Sequence, residues 1–145
     1  MKISNESKNI QFSPTDLNNF VSCKYIIKNS LLAKDLNLKK KEITADQKLR
    51  IEHGNKHEEN HLQILKKNNK KNITIDPKQP SQKKFKDTLD ALKKGYDLIY
   101  KAYLRDGDFG GELDFLLKTK DKSNLGNYSY EVYDTKVTKN LKPKH

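Results

Sequence analysis

The chain has 145 residues, 33% of them hydrophobic and 34% charged, with a formal net charge of +11. That length carries one domain with a thin core and excludes a second core of similar size. Its single cysteine, Cys23, excludes a disulfide framework and an internal cysteine zinc site, and no run approaches the roughly 20 apolar residues that cross a bilayer.

The positive charge is almost all lysine. It favours polyanions through release of counterions from phosphates, although a base-composition bias toward Lys and Asn codons yields the same surplus. No apolar signal segment follows Lys2, so a soluble, cytoplasmic protein is expected, with no membrane partner.

Residues 1–12 read as a flexible polar tail, and 13–145 as the domain. Ser13-Pro14-Thr15-Asp16 opens a helix, with Ser13 as N-cap, Pro14 at the first helical position and Asp16 closing a capping box. Leu17, Phe20, Val21 and Lys24 carry it to about residue 30, with Cys23 as a buried helical residue. Residues 31–45 read as a loop or short helix. A second helix covers 46–67, with Leu49, His53, His57, His61 and Leu65 as its stripe. Residues 73–75 form a short strand, 84–95 a helix through Phe85, Leu89 and Leu92. The period then changes to two. Leu98–Leu104 and Gly111–Lys118 pair as a hairpin around Asp106-Gly107, and Tyr128–Val137 adds another strand. Helices followed by strands give an α/β domain.

Strand alternation sets Leu113, Phe115 and Leu117 on one face and Glu112 and Asp114 on the other. It also sets Tyr130, Val132, Asp134 and Lys136 together, with Asp134 and Lys136 roughly 6.5–7 Å apart. An acid and a lysine on an apolar strand face are costly unless paired or metal-bound. One reading is an Asp134–Lys136 ion pair. The other is a metal site in which Asp114 and Asp134 supply hard oxygens and Lys136 attends the attacking water.

The segments "FSPTDLNNFVSCKY", "GNKHE", "GGELDFLL" and "YSYEVYDTK", in this order, resemble the RecB-like branch of the PD-(D/E)XK nuclease superfamily, related to the CRISPR-associated RecB-like exonucleases. The resemblance covers residues 12–143. It implies a restriction-endonuclease-like core with N-terminal helices and a mixed sheet, and metal-dependent hydrolysis of DNA, exonucleolytic in the complete protein. By the same resemblance His57, Asp114 and Asp134 are ligands of Mg²⁺ or Mn²⁺. Asp114, Asp134 and Lys136 are then catalytic, with DNA as partner and DNA repair among the settings implied. Nucleic-acid-binding residues are not identified. Family members continue into a helix with a Q-x-x-x-Y motif, whereas nine residues follow Lys136. The expectation is an N-terminal fragment lacking the C-terminal part of the core, joined in the full protein to a helicase or second nuclease domain. Relatives that hold an iron–sulfur cluster use four cysteines, and Cys23 alone does not support one.

Two alternatives stand beside this reading. One is a non-catalytic nucleic-acid-binding module of the same fold. The remote one is a zinc metalloprotease, because His57-Glu58-Glu59-Asn60-His61 spells H-E-x-x-H, with Glu58 as general base. Its third ligand finds no pattern downstream, where the helix over 84–95 offers only Asp87 and Asp90.

Overall fold

A computed structural model describes residues 2–3, 10–39 and 41–137. Within them lie four helices and a mixed four-stranded sheet, an α/β arrangement. The expectations for residues 1, 4–9, 40 and 138–145 lie outside this description. The chain groups into two compact units: residues 1–42 with Leu104–Glu112, and residues 43–103 with 113–145.

In the first unit, strands β1 (Lys2–Ile3) and β2 (Ile10–Gln11) pair antiparallel within the segment expected to be a tail. Helix α1 (Pro14–Ser22) starts where the sequence says. Ser13 Oγ accepts from Asp16 N–H, and the Asp16 carboxylate accepts at 2.8 Å from Ser13 N–H, so two orphan donors are met. The helix stops at Cys23, whose backbone is extended, and α2 (Lys24–Asp35) begins afresh. Cys23 is therefore exposed at a break rather than buried in a continuous helix. Phe12 donates its N–H to Asp108 O and accepts from Gly110 N–H, and its ring lies 5.9 Å from that of Phe109. A Cβ on Gly111 would come within 2.9 Å of Pro14 Cδ, so glycine is what lets this strand approach the start of α1.

The second unit is built on the long helix α3 (Ala45–Asn68), strand β3 (Asn72–Thr74) and helix α4 (Ser81–Lys93). Strands β4 (Leu98–Asp106), β5 (Phe109–Thr119) and β6 (Ser129–Tyr133) follow. A capping box between Thr44 and Gln47 starts α3. Gly95, at φ +63, ends the turn after α4, a conformation that costs glycine nothing. The sheet order is β3-β4-β5-β6, with β3 parallel to β4 through the α4 crossover and β6 antiparallel to β5.

Two apolar clusters cover the two faces of this sheet. Leu98, Phe115 and Leu62 are buried together, with Leu65, Tyr100 and Leu117 against them, so α3 covers one face. Ile99, Ala102, Leu116, Ile75 and Ala91 form the other, with α4 above it. Leu98 and Ile99 are consecutive and point opposite ways, as strand geometry requires. Leu113, expected beside Phe115 and Leu117, packs instead against the α4-side cluster. The alternation is interrupted beside Lys101, which has φ +56 in the middle of β4. A non-glycine residue in that region costs about 1–2 kcal/mol, and the changed backbone direction re-aims the side chain it carries.

Candidate active site

The register of β5 and β6 builds the centre. Phe115 is opposite Tyr133 and Leu117 opposite Glu131. One step beyond the Phe115–Tyr133 pair come Asp114 on β5 and Asp134, the residue that follows β6. The two carboxyl groups are close enough for each to shift the other's proton affinity. β6 ends at Tyr133, so Asp134 and Lys136 lie just beyond the strand rather than on its apolar face. Lys136 forms an ion pair with Asp134, and both side chains are about half exposed.

From the opposite strand, Lys101 reaches into the same centre. Its Nζ donates to Asp114 Oδ1 at 2.9 Å and lies 2.6 Å from Glu58 Oε1. Tyr100 donates its hydroxyl to the same Glu58 oxygen at 2.9 Å. Alternation would turn Lys101 away from Tyr100, toward α4. Its left-handed backbone turns it to the α3 side, where Glu58 waits. Glu58, Lys101 and Asp114 retain 15%, 20% and 25% of their side-chain surface, so the centre is shielded on several sides without being sealed.

These contacts set the proton affinities. Burial, and then the hydrogen bond with Asp134, raise the Asp114 pKa above its ordinary value of 3.8. Burial also works upward on Asp134, but the bonds from Asp114 and Lys136 outweigh it and hold that group below the ordinary value. Asp114 therefore holds a proton more readily than an ordinary aspartate, and Asp134 less readily. Burial opposes the charge on Lys101, yet its bonds to Glu58 and Asp114 carry its pKa above that of a free lysine. Burial and the Glu58 bond push the Tyr100 hydroxyl up to about 12.

A pH consequence follows. A carboxyl whose folded pKa is raised contributes its stability at low pH and loses it as pH rises from 3.8 through the folded value. Asp134, with a lowered pKa, contributes above 3.8 and loses that as pH falls through its folded value. Asp114→Asn removes the titrating group and with it the first effect. Thermal melts taken upward from pH 3.8 should show the variant gaining on the wild type as pH rises. A constant difference between the two would contradict the raised pKa of Asp114.

Of the residues singled out in the sequence, Asp114, Asp134 and Lys136 are brought together. His57 is exposed on α3. The inward side of that helix is formed by Gly54, Glu58, His61, Leu62 and Leu65, with the His61 ring 5.5 Å from that of Phe115, edge to face. His57 and His61 thus differ in surroundings, one open to solvent and one against the core. A Cβ on Gly54 meets nothing within 4 Å, so packing does not demand glycine there. Sequence reasoning missed Tyr100 and Lys101 and weighed Glu58 only as a protease base. The signal that could have found Lys101 was a single lysine inside the otherwise apolar run of β4.

Among the described residues no group of three His, Cys, Asp or Glu side chains converges as a ready metal site, and an ammonium group stands between Glu58 and Asp114. Nor is any helix among the described residues long and apolar enough to cross a membrane. No protein-family model, curated protein or solved structure matches the chain.

Proposed function

We propose that this chain is a RecB-like nuclease of the PD-(D/E)XK superfamily, on a restriction-endonuclease-like core, which hydrolyses DNA phosphodiester bonds with Mg²⁺ or Mn²⁺. The observation that carries the reading is the proximity of Asp114 on β5 to Asp134 just past the end of β6, with Lys136 on Asp134. Two neighbouring carboxyl groups that shift each other's proton affinity make a place where an added cation is stabilised. Glu58, Asp114 and Asp134 offer only hard oxygens, the donors that Mg²⁺ and Mn²⁺ take. A divalent cation bound there would lower the pKa of a bound water and polarise the phosphoryl group.

The protein's own groups do the rest. Asp114, carried on β5, and Asp134, one residue past the end of β6, set where the scissile phosphate can rest. Lys136 is held by Asp134 at the open rim of the centre, where its charge meets an oxygen that becomes more anionic in the transition state. The net charge of +11 draws the polyanion to the surface at low salt. A cytoplasmic setting and a role in DNA repair accord with this reading, as does a fusion to a helicase or second nuclease domain.

Calorimetric titration with Mn²⁺ tests it. Binding should weaken by about tenfold or more in Asp114→Asn and in Asp134→Asn, since each removes a charged oxygen donor. Substitution of His57 should weaken binding more than substitution of His61 if the helix contributes an imidazole. Unchanged binding in both aspartate variants would sink the metal centre, and equal loss from the two histidine variants would favour the zinc metalloprotease reading.

A further inference from the structure

We propose that Lys101 is a tethered cation that holds the carboxylate centre in the absence of divalent metal and is displaced when metal enters. This rests on the metal-dependent reading above and adds to it an internal competitor for the site. The Lys101 ammonium lies 2.6 Å from Glu58 Oε1 and 2.9 Å from Asp114 Oδ1, between the two side chains that a shared cation would have to bridge. It reaches them only because the strand adopts φ +56 at that residue, since regular alternation would send the side chain to the α4 face. The fold therefore accepts backbone strain to bring positive charge to this point.

A lysine suits such a role. Four methylenes let the head group withdraw without moving the strand, and the ammonium is strongly hydrated once released. A fifth of the Lys101 side-chain surface is already accessible, so it has a way out to water. The Tyr100 hydroxyl stays on Glu58 Oε1 and keeps that carboxylate aimed when the ammonium leaves. A divalent ion carries twice the charge that Lys101 does and takes carboxylate oxygens at shorter distance, about 2.0–2.2 Å for Mg²⁺. Exchange is favoured at sufficient metal concentration, and at lower concentrations the carboxylates remain neutralised by the protein itself. Metal affinity is then set by a competition within the protein as well as by the ligands.

Amine acylation of the full chain, read by peptide mapping with and without Mn²⁺, tests the idea in the wild-type protein. Labelling of Lys101 should rise several-fold on adding Mn²⁺. Lys118, paired at 2.8 Å with Asp97 away from this centre, should label at an unchanged rate and serves as the control. Alongside, Lys101→Met should bind Mn²⁺ about tenfold or more tightly than the wild type, since a competing charge in contact with two carboxylates is gone. If the wild type binds Mn²⁺ while Lys101 labelling stays constant or falls, the tethered cation is overturned and the metal centre stands. Equal or weaker binding by a folded Lys101→Met does the same. If neither protein binds Mn²⁺ at millimolar concentration, this inference and the metal-dependent reading fall together. Should Lys101→Met not fold, the labelling result in the wild type decides alone.

Discussion

Lys136→Ala should reduce Mg²⁺-dependent cleavage of labelled DNA by about 10²–10³-fold, the usual effect of losing one transition-state charge donor. Metal binding should survive, because Lys136 offers no electron pair that a cation needs while it is charged. DNA binding should survive as well and keep its salt dependence, since Lys136 is one of 30 Lys and Arg residues. The folded state should hardly notice the change, for both partners of the Lys136–Asp134 pair are about half exposed, and such pairs contribute only about 0–1 kcal/mol. The experiment separates chemistry from attachment. A wild type that binds DNA yet cuts it with no divalent metal would make the chain a binding module, a reading supported by the internal cationic partners of both aspartates. A Lys136→Ala protein that cuts as well as the wild type would reduce the lysine to an ion-pair partner.

Phe115→Ala should cost about 3–5 kcal/mol, the range for a fully buried aromatic truncated to methyl. Phe115 has no exposed surface, and its ring lies 5.2 Å from Tyr100 and 5.5 Å from His61. With Leu62 and Leu98 it forms the cluster in which α3 meets the strands that carry Lys101 and Asp114. In a chain with a core this small, such a loss is a large share of a typical total stability of about 5–15 kcal/mol. Val132→Ala, on the neighbouring strand but 59% exposed, should change stability by less than about 0.5 kcal/mol. Urea unfolding of the two variants measures both. A small effect at Phe115 would mean that the α3 cluster does not hold the sheet as described.

Much of this was legible in the residues. Ser13 and Asp16 announced the first helix through a local device that needs no tertiary context. Period-two patterning located β4 and β5, and the register of β5 with β6 brings Asp114 and Asp134 to the positions next after the Phe115–Tyr133 pair. The inward face of α3 was not legible from its four-residue stripe. Each step of four residues overshoots a full turn by about 40°, so four steps from Leu49 to Leu65 wrap nearly halfway around the helix. The buried stripe follows mixed three- and four-residue steps instead, through Gly54, Glu58, His61, Leu62 and Leu65. Lys101 escaped for a different reason. A lysine at positive φ has no signature in the sequence, and strict alternation misplaces both it and Leu113. The break at Cys23 was equally silent, with neither proline nor glycine to mark it.

The pairing of Phe12 with the turn around Asp108 and Gly110 joins positions nearly a hundred residues apart in the chain. At about 5–20 residues per second of synthesis, the N-terminal segment leaves the ribosome several seconds before the strand that completes it. For that interval Phe20 and Val21, still largely exposed in the finished unit, have even less to cover them. Contacts of such long span are formed late and slow the overall rate. Helices α1 and α2 emerge first but should gain lasting protection from hydrogen exchange only after the β4–β5 hairpin has been made. Fragments ending before Phe109 should therefore be the ones that proteases and aggregation claim.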